Sequence, residues 1–86
     1  MINNKIFITH RKKIDKIDND IIRLLKKRLD SAREIGNYKK KQGIKIIDKK
    51  REKEILKDRI KKSDLSKNFT KKLFSIIIKE SREVQK

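Results

Sequence analysis

The chain has 86 residues, of which 47% are charged and 34% are hydrophobic, and its formal net charge is +16. It contains no Cys, so disulfides and thiolate zinc sites are excluded. No apolar run reaches the ~18 residues of a membrane-spanning helix, and the N-terminal residues lack the apolar core and cleavage site of a signal peptide. We therefore expect a cytoplasmic protein that does not act at a membrane.

Size and composition also predict long helices and self-association. The chain has no Pro and only two Gly, which favours helices over hairpins. A domain of this size buries only about 60% of the surface of its unfolded chain. Because a third of the residues are apolar and nothing cross-links the chain, a lone monomer would be marginally stable.

The first predicted helix covers about residues 8–42. Gly36 is its one weak point, at a cost of about 1 kcal/mol relative to Ala, and Gly43 suits the residue that follows a helix. Such a helix is roughly 50 Å long, and the rest of so small a chain cannot cover it. We therefore expect it to pack against its own copy. Its apolar residues recur at spacings of three and four, and include Ile14, Ile17, Ile21, Leu24, Leu25, Ala32 and Ile35.

Two shorter helices are predicted at about residues 48–62 and 66–85. Asp48 can cap the first of them, and either Asp64 or Ser66 can cap the second. The apolar faces are formed by Ile55, Leu56 and Ile60 in one helix and by Phe69, Leu73, Phe74, Ile77, Ile78 and Val84 in the other. The fold class predicted is a single all-α domain of one long and two shorter helices.

Polar residues interrupt the apolar face of the first helix. Arg28 occupies a heptad position that Ile14, Ile21 and Ile35 otherwise fill. Lys39 lies three turns later on nearly the same face, roughly 16 Å along the axis. Both side chains can lean towards one small dianion between them. The alternative is that Arg28 reaches solvent or pairs with an acidic residue of another helix.

The two shorter helices carry similar interruptions. Asp48, Arg51 and Glu52 lie about one turn before the apolar face of the second helix, and Ser81 and Gln85 continue the apolar stripe of the third. Singly, Asp48 is explained as a cap, Ser81 as a small packing residue and Gln85 as a frayed end. Polar groups on the inner faces of all three helices together favour one shared site.

Arg11 raises a question of geometry. It lies 17 residues before Arg28, roughly 25 Å away along the helix, so one copy cannot bring both to a small ligand. If Arg11 contributes, it comes from an antiparallel second chain; the alternative is a solvated basic cluster with Lys12 and Lys13. Lys outnumbers Arg 21 to 7, yet positions 11, 28 and 51 are Arg, whose planar fork suits bidentate carboxylate binding.

The sequence lacks the residues of most cofactor-dependent and covalent chemistry. Its one His is His10, and it has no Gly-rich phosphate loop and no metal-ligand spacing. We expect no metal and no cofactor. A cationic pocket with a few neutral donors suits a reaction that depends on positioning and on electrostatic stabilisation.

The order and spacing of these residues resemble the all-helical (AroQ-class) chorismate mutases. The resemblance runs from about residue 11 to residue 85 and rests on four segments in order. These are Arg11-x-x-Ile14-Asp15-x-Ile17-Asp18-x-x-Ile21-x-x-Leu24-Leu25-x-x-Arg28, Ala32-x-x-Ile35-Gly36-x-x-Lys39, Asp48-x-x-Arg51-Glu52 and Phe74-x-x-Ile77-Ile78-x-x-Ser81-x-x-x-Gln85.

The resemblance implies an intertwined all-α homodimer with two shared sites. It implies the cofactor-free Claisen rearrangement of chorismate to prephenate, in phenylalanine and tyrosine biosynthesis, as a stand-alone enzyme. In that family pattern Arg28 and Arg11 of the partner subunit bind the two substrate carboxylates.

The remaining implied roles complete the pocket. Lys39 and Gln85 would donate to the ether oxygen, and Glu52, with the backbone near Asp48, would hold the ring hydroxyl. Arg51 and Ser81 would complete the pocket, with Ser81 near a carboxylate.

Three other functions are considered at this stage. A purely structural coiled coil is one, but Arg28 and Ser31 would be poor choices for its seam. An isochorismate-pyruvate lyase of the same fold binds nearly the same dianion, although a Glu52 aimed at a hydroxyl favours the mutase. A basic helical nucleic-acid-binding module would need charge on one exposed face and aromatic residues for stacking. Phe69 and Phe74 lie instead in apolar stripes, so we expect no nucleic-acid partner.

Overall fold

The computed structural model describes residues 4–86, and these residues form three helices and no strand. Helix α1 spans Asn4–Gln42, α2 spans Lys49–Lys62 and α3 spans Lys67–Gln85. The all-α fold class is therefore confirmed for the described residues. Helix α1 begins four residues before the expected start, because no Pro or Gly interrupts the sequence there. None of the described helices has the length and apolarity needed to cross a membrane.

Helix α1 ends in the glycine-dependent turn that the sequence predicts at Gly43. Gly43 has a φ of 67°, in the left-handed region that favours glycine. Its N–H donates to the Lys40 carbonyl at 3.4 Å, and the Ile44 N–H donates to the Lys39 carbonyl at 2.8 Å. This pair of bonds is the Schellman arrangement, and it turns the chain towards α2.

Side-chain caps begin the two shorter helices. Asp48 Oδ1 accepts a hydrogen bond from the Arg51 N–H at 3.0 Å, and Ser66 Oγ accepts one from the Phe69 N–H at 3.0 Å. Ser66, rather than Asp64, is thus the cap of α3. The fully buried Thr70 bonds to the Ser66 carbonyl at 2.9 Å and to the Ser63 hydroxyl at 3.0 Å, which closes the connection between α2 and α3.

Helix α3 is the central element of the packing. It packs against both α1 and α2, whereas α1 and α2 do not pack against each other within residues 4–86. The buried apolar core is small and takes one residue from each helix, namely Ala32, Ile55 and Ile78. Because two helices converge on a third without meeting, a space remains between α1 and α2.

The N-terminal half of α1 projects beyond this core. The described chain measures 65 × 24 × 16 Å and has a radius of gyration of 17.4 Å, against about 12 Å for a compact domain of this length. Apolar side chains along the projecting half are about half exposed, an unusually large apolar surface for a monomer. They are Ile6, Phe7, Ile8, Ile14, Ile17, Ile21, Ile22 and Leu24.

The cap at Ser66 leads to a stability prediction. Replacing Ser66 with Ala leaves the Phe69 N–H without its side-chain acceptor, at a cost of about 1 kcal/mol. We expect the thermal midpoint to fall by roughly 4–8 °C at equal protein concentration. Ser75→Ala, at an exposed position inside the same helix, is the control and should not lower the midpoint. Equal midpoints for the two variants would show that the cap contributes nothing.

Candidate active site

A cavity of about 280 Å³ lies between the three helices, near the lower end of the size range of ligand pockets. It brings together seven of the eight sequence-predicted site residues: Arg28, Lys39, Asp48, Arg51, Glu52, Ser81 and Gln85. Arg11 does not line it. The residues that sequence reasoning did not assign to the site are Ser31, Ala32, Ile35, Ile46, Ile55, Ile78 and Arg82.

The charge of the cavity is positive. Its lining holds four cationic side chains and two carboxylates, for a formal charge of +2. The apolar residues of the lining limit the number of waters that can screen these charges. The cavity is therefore suited to a small organic dianion.

Arg28 is held in place by α3. Its Nη1 donates to Ser81 Oγ, and Ser81 Oγ in turn donates to the Ile77 carbonyl at 2.8 Å. Burial lowers the pKa of Arg28, and the nearby cations Arg59 and Arg51 lower it further. The guanidinium still stays charged at neutral pH. An anion in the cavity would relieve this repulsion between cations.

Lys39 reaches the cavity edge through the turn that ends α1. Its Nζ donates to the Ile46 carbonyl at 2.9 Å. That carbonyl belongs to the connection that the Gly43 turn directs back across α1. The ammonium has three donors, so two remain available beyond this bond.

Gln85 lies at the last turn of α3, facing α1. Its Nε2 donates to the Ser81 carbonyl at 2.9 Å, which leaves the second amide hydrogen free. Its Oε1 is buried and has no hydrogen-bond partner among the described residues. A buried acceptor without a partner costs about 1–3 kcal/mol. Helix α3 extends to this residue, and Lys40 Nζ donates to the main-chain oxygen of Lys86 just beyond it.

Gly36 explains how Gln85 comes so close to α1. A Cβ atom at position 36 would lie 2.7 Å from Gln85 Cα and 2.8 Å from Gln85 Cβ, well inside van der Waals contact. The helix-weakening glycine noted in the sequence is therefore required by the close approach of α1 and α3. It sets the position of Gln85 at the cavity.

Glu52 is paired with an arginine that sequence reasoning missed. Arg82 Nε donates to Glu52 Oε2 and Arg82 Nη2 donates to Glu52 Oε1, each at 3.1 Å. Both side chains are largely shielded, with exposed fractions of 34% and 23%. The available signal was the rarity of arginine: position 82 is one of only seven Arg in a lysine-rich chain.

The start of α2 contributes a cap and a second guanidinium. The Asp48 carboxylate caps α2 by accepting from the Arg51 N–H. This is the role as a helix cap that the sequence offered for Asp48 taken singly. The Arg51 side chain is 58% exposed and lies 3.9 Å from Glu54. It lines the cavity, and its long ion pair with Glu54 is exposed, so little opposes a turn of the guanidinium towards a ligand.

Arg11 lies on the exposed N-terminal half of α1. Its guanidinium sits 5.4 Å from the centre of the Phe7 ring, within cation–π range. The helical rise separates it from Arg28 by roughly 25 Å, as expected. A single chain therefore does not bring Arg11 to the cavity.

Residues 4–86 contain no cluster of side chains that could coordinate a metal ion. No group of three or more His, Asp or Glu side chains there is placed to hold an ion. The two carboxylates of the cavity are instead occupied by a helix cap and by an arginine.

The comparison with known proteins agrees with this geometry. Residues 10–86 match the family described as chorismate mutase type II. The chorismate mutase of Methanocaldococcus jannaschii is 40% identical over 80 residues, which span 88% of this chain and 80% of that protein. A solved structure, a conserved hypothetical protein from Pyrococcus furiosus, is 39% identical and has a TM-score of 0.82 over 98% of this chain and 100% of that one.

The chain belongs to the type II chorismate mutase family, as a match over nearly its whole length shows. The family and the relative confirm the predicted resemblance, the mutase function and the assignment as an enzyme of the isomerase class.

The close approach at Gly36 leads to a second prediction. In Gly36→Ala the new methyl group meets the backbone of Gln85, so α1 and α3 must separate. Overpacking of this kind destabilises the fold by about 1–3 kcal/mol. The gain in helix propensity from Gly to Ala is only about 1 kcal/mol, so the net change is destabilising over most of that range. We expect a lower thermal midpoint for Gly36→Ala. The exposed neighbour Asn37→Ala is the control, since it gains propensity without a clash; a midpoint for Gly36→Ala equal to the control's would contradict the close approach.

Proposed function

We propose that the cavity between the three helices rearranges chorismate to prephenate through electrostatic and conformational preorganisation, without a cofactor. The single observation that carries this proposal is the convergence of Arg28, Lys39 and Gln85 on one cavity of positive charge. In this rearrangement the ether C–O bond breaks as a new C–C bond forms within the same molecule. The enzyme needs no proton donor or nucleophile for it, which fits the donors present.

Binding of the substrate dianion starts at Arg28. Its guanidinium is oriented by Ser81, and its pKa is lowered by burial and further by repulsion from the nearby cations Arg59 and Arg51. A carboxylate that enters beside Arg28 gains a charge-assisted hydrogen bond and offsets that repulsion. Arg51 completes the anionic subsite in this proposal, and Ser81, whose O–H donates to the Ile77 carbonyl, contributes by orienting Arg28.

Stabilisation of the transition state falls to Lys39 and Gln85. Negative charge develops on the ether oxygen as the C–O bond breaks, so donors placed there bind the transition state more tightly than the substrate. Lys39 has two further donors beyond its bond to the Ile46 carbonyl. Gln85 has one amide hydrogen beyond its bond to the Ser81 carbonyl. Both side chains can therefore donate to one oxygen between α1 and α3.

The ring hydroxyl of the substrate lies at α2 in this proposal. Glu52 accepts its hydrogen bond, and the backbone near Asp48 contributes the second contact. Each carboxylate oxygen of Glu52 already accepts one bond from Arg82, but each has room for a second. Contacts at both ends of the substrate hold it in the compact reactive conformer.

We also propose that the working enzyme is an intertwined homodimer. The uncovered apolar face on the N-terminal half of α1 needs a cover as long as itself, and a second α1 in antiparallel orientation supplies one. Two-fold symmetry then carries Arg11 of the partner subunit towards the cavity that contains Arg28. In this arrangement the guanidinium of Arg11 of the partner subunit binds the second carboxylate of the substrate. The cytoplasmic location, and the absence of nucleic-acid and membrane partners, stay predictions.

The direct test is to add chorismate to the purified protein and follow its absorbance. We expect consumption of chorismate with prephenate as the product identified by NMR. A parallel assay uses isochorismate as the substrate. Release of pyruvate in that assay, without conversion of chorismate, would indicate the lyase. Absence of turnover with either compound by the folded protein would contradict the proposed function.

Alanine variants of Arg28 and Lys39 test the site itself. Each should lower kcat/KM by at least about 100-fold, because each removes a charged donor from the cavity. Arg33→Ala is the matched control: Arg33 pairs with Asp30 on the exposed side of α1 and should turn over normally. All three variants should retain wild-type helicity and oligomeric state. A near-normal rate for Arg28→Ala or Lys39→Ala would remove the proposed site.

Mixing two inactive variants tests the shared site. A dimer of one Arg11→Ala chain and one Arg28→Ala chain has one intact site and one doubly damaged site. Random subunit exchange should then restore about a quarter of wild-type activity, by the symmetry of a two-fold dimer. Exchange is verified by mass spectrometry of differently labelled chains. If exchange is complete and no activity returns, each site is built from a single chain.

A further inference from the structure

The least expected contact of the cavity is the ion pair between Glu52 of α2 and Arg82 of α3. It is bidentate, with both N···O distances at 3.1 Å, and both residues line the cavity. The other acidic residue of the lining, Asp48, is engaged by a backbone N–H. Among the described residues, Glu52 is thus the one carboxylate of the cavity that forms an ion pair with a cation of the same lining.

A carboxylate is a problem in a cavity that receives a dianion. Like charges at short range in a partly dehydrated site oppose binding. An unpaired Glu52 would therefore repel the substrate whose hydroxyl it is proposed to hold. Its side chain would also be free to rotate towards Arg28 or Arg51 and to occupy the anionic subsite itself.

We propose that Arg82 is a positioning residue that neutralises Glu52 and orients it as a hydroxyl acceptor, so that the carboxylate neither repels the dianion nor competes with it. This inference rests on the proposed function. The planar fork of Arg82 engages both oxygens of Glu52 in one plane. The remaining lone pair of each oxygen stays available to a hydroxyl in the cavity. Selectivity for a dianion that carries a hydroxyl follows from this arrangement.

The guanidinium edge of Arg82 that faces Glu52 is fully used. Its Nε and Nη2 each donate to one oxygen of Glu52, and the neighbouring Ser81 accepts from Arg28. The two positions divide the work of α3: Ser81 orients the anion-binding guanidinium, and Arg82 orients the hydroxyl-binding carboxylate.

The test compares three variants that all break the same ion pair. Arg82→Met leaves a lone carboxylate beside the dianion, and we expect KM for chorismate to rise by about tenfold or more. Glu52→Gln leaves a lone cation and keeps an amide oxygen as acceptor, so its KM should rise much less. The double variant Arg82→Met/Glu52→Gln has no lone carboxylate, and its KM should return to the Glu52→Gln value.

A purely structural cross-link between α2 and α3 gives a different result. If the ion pair only linked the two helices, Arg82→Met and Glu52→Gln would have the same effect as each other on KM, on kcat and on the thermal midpoint. Equal KM values for Arg82→Met and Glu52→Gln, or a wild-type KM for Arg82→Met, would therefore overturn the proposal. Arg82→Lys keeps the charge without the fork and should hold KM near wild type while lowering kcat; a KM as high as that of Arg82→Met would count against charge neutralisation.

Two controls keep the experiment decisive. Arg33→Met removes one positive charge from an exposed ion pair and should leave KM unchanged, which separates the effect of Arg82 from the net charge of the protein. If Arg82→Met does not fold, Arg82→Gln removes the same charge while keeping a donor, and it carries the same expected rise in KM. Failure of the wild-type protein to consume chorismate would refute the proposed function, whereas failure of the KM pattern in an active enzyme refutes only the role of Arg82.

Discussion

The half-buried guanidinium of Arg28 is the constraint around which the rest of the molecule is arranged. It occupies a position on α1 that periodicity would give to an aliphatic side chain, and its pKa is lowered first by burial and then by Arg59 and Arg51. Burying a cation next to cations is unfavourable unless polar partners surround it. The hydroxyl of Ser81 supplies one partner, and in the proposed function a substrate carboxylate would supply another. Binding of an anion would then offset the repulsion between the cations of the cavity.

Helix α3 maintains that arrangement because it is the element that both other helices contact. Its inner face combines a buried Ile78 with Ser81, Arg82 and Gln85, so one helix carries both the core and the polar contacts. Gly36 allows the end of α3 to approach α1, and the turn at Gly43 brings the Ile46 carbonyl to Lys39. Small backbone features therefore determine where the donors of the cavity lie.

The long α1 connects the proposed dimer with the proposed active site. Only its C-terminal half contributes buried residues, namely Ala32 and Gly36. Its other half exposes a row of aliphatic side chains and carries Arg11 far from the cavity. A second chain would cover that row and bring a further guanidinium to the substrate. The same half of the helix therefore accounts for both the expected dimer and the expected shared site.

The sequence by itself determined the local structure of this protein. Helical periodicity, the cap at Asp48 and the glycine turn at Gly43 depend on contacts within a few residues, so they could be predicted. For the same reason the cap of α3 could be narrowed to Asp64 or Ser66. The interruption of the apolar face at Arg28 was visible for the same reason. Only the tertiary structure decided that Glu52 contacts Arg82, 30 residues away. Likewise, only the tertiary structure shows that Gln85 approaches position 36 too closely for any residue but Gly. Such contacts depend on the direction in which one helix faces another, and no local pattern encodes that direction.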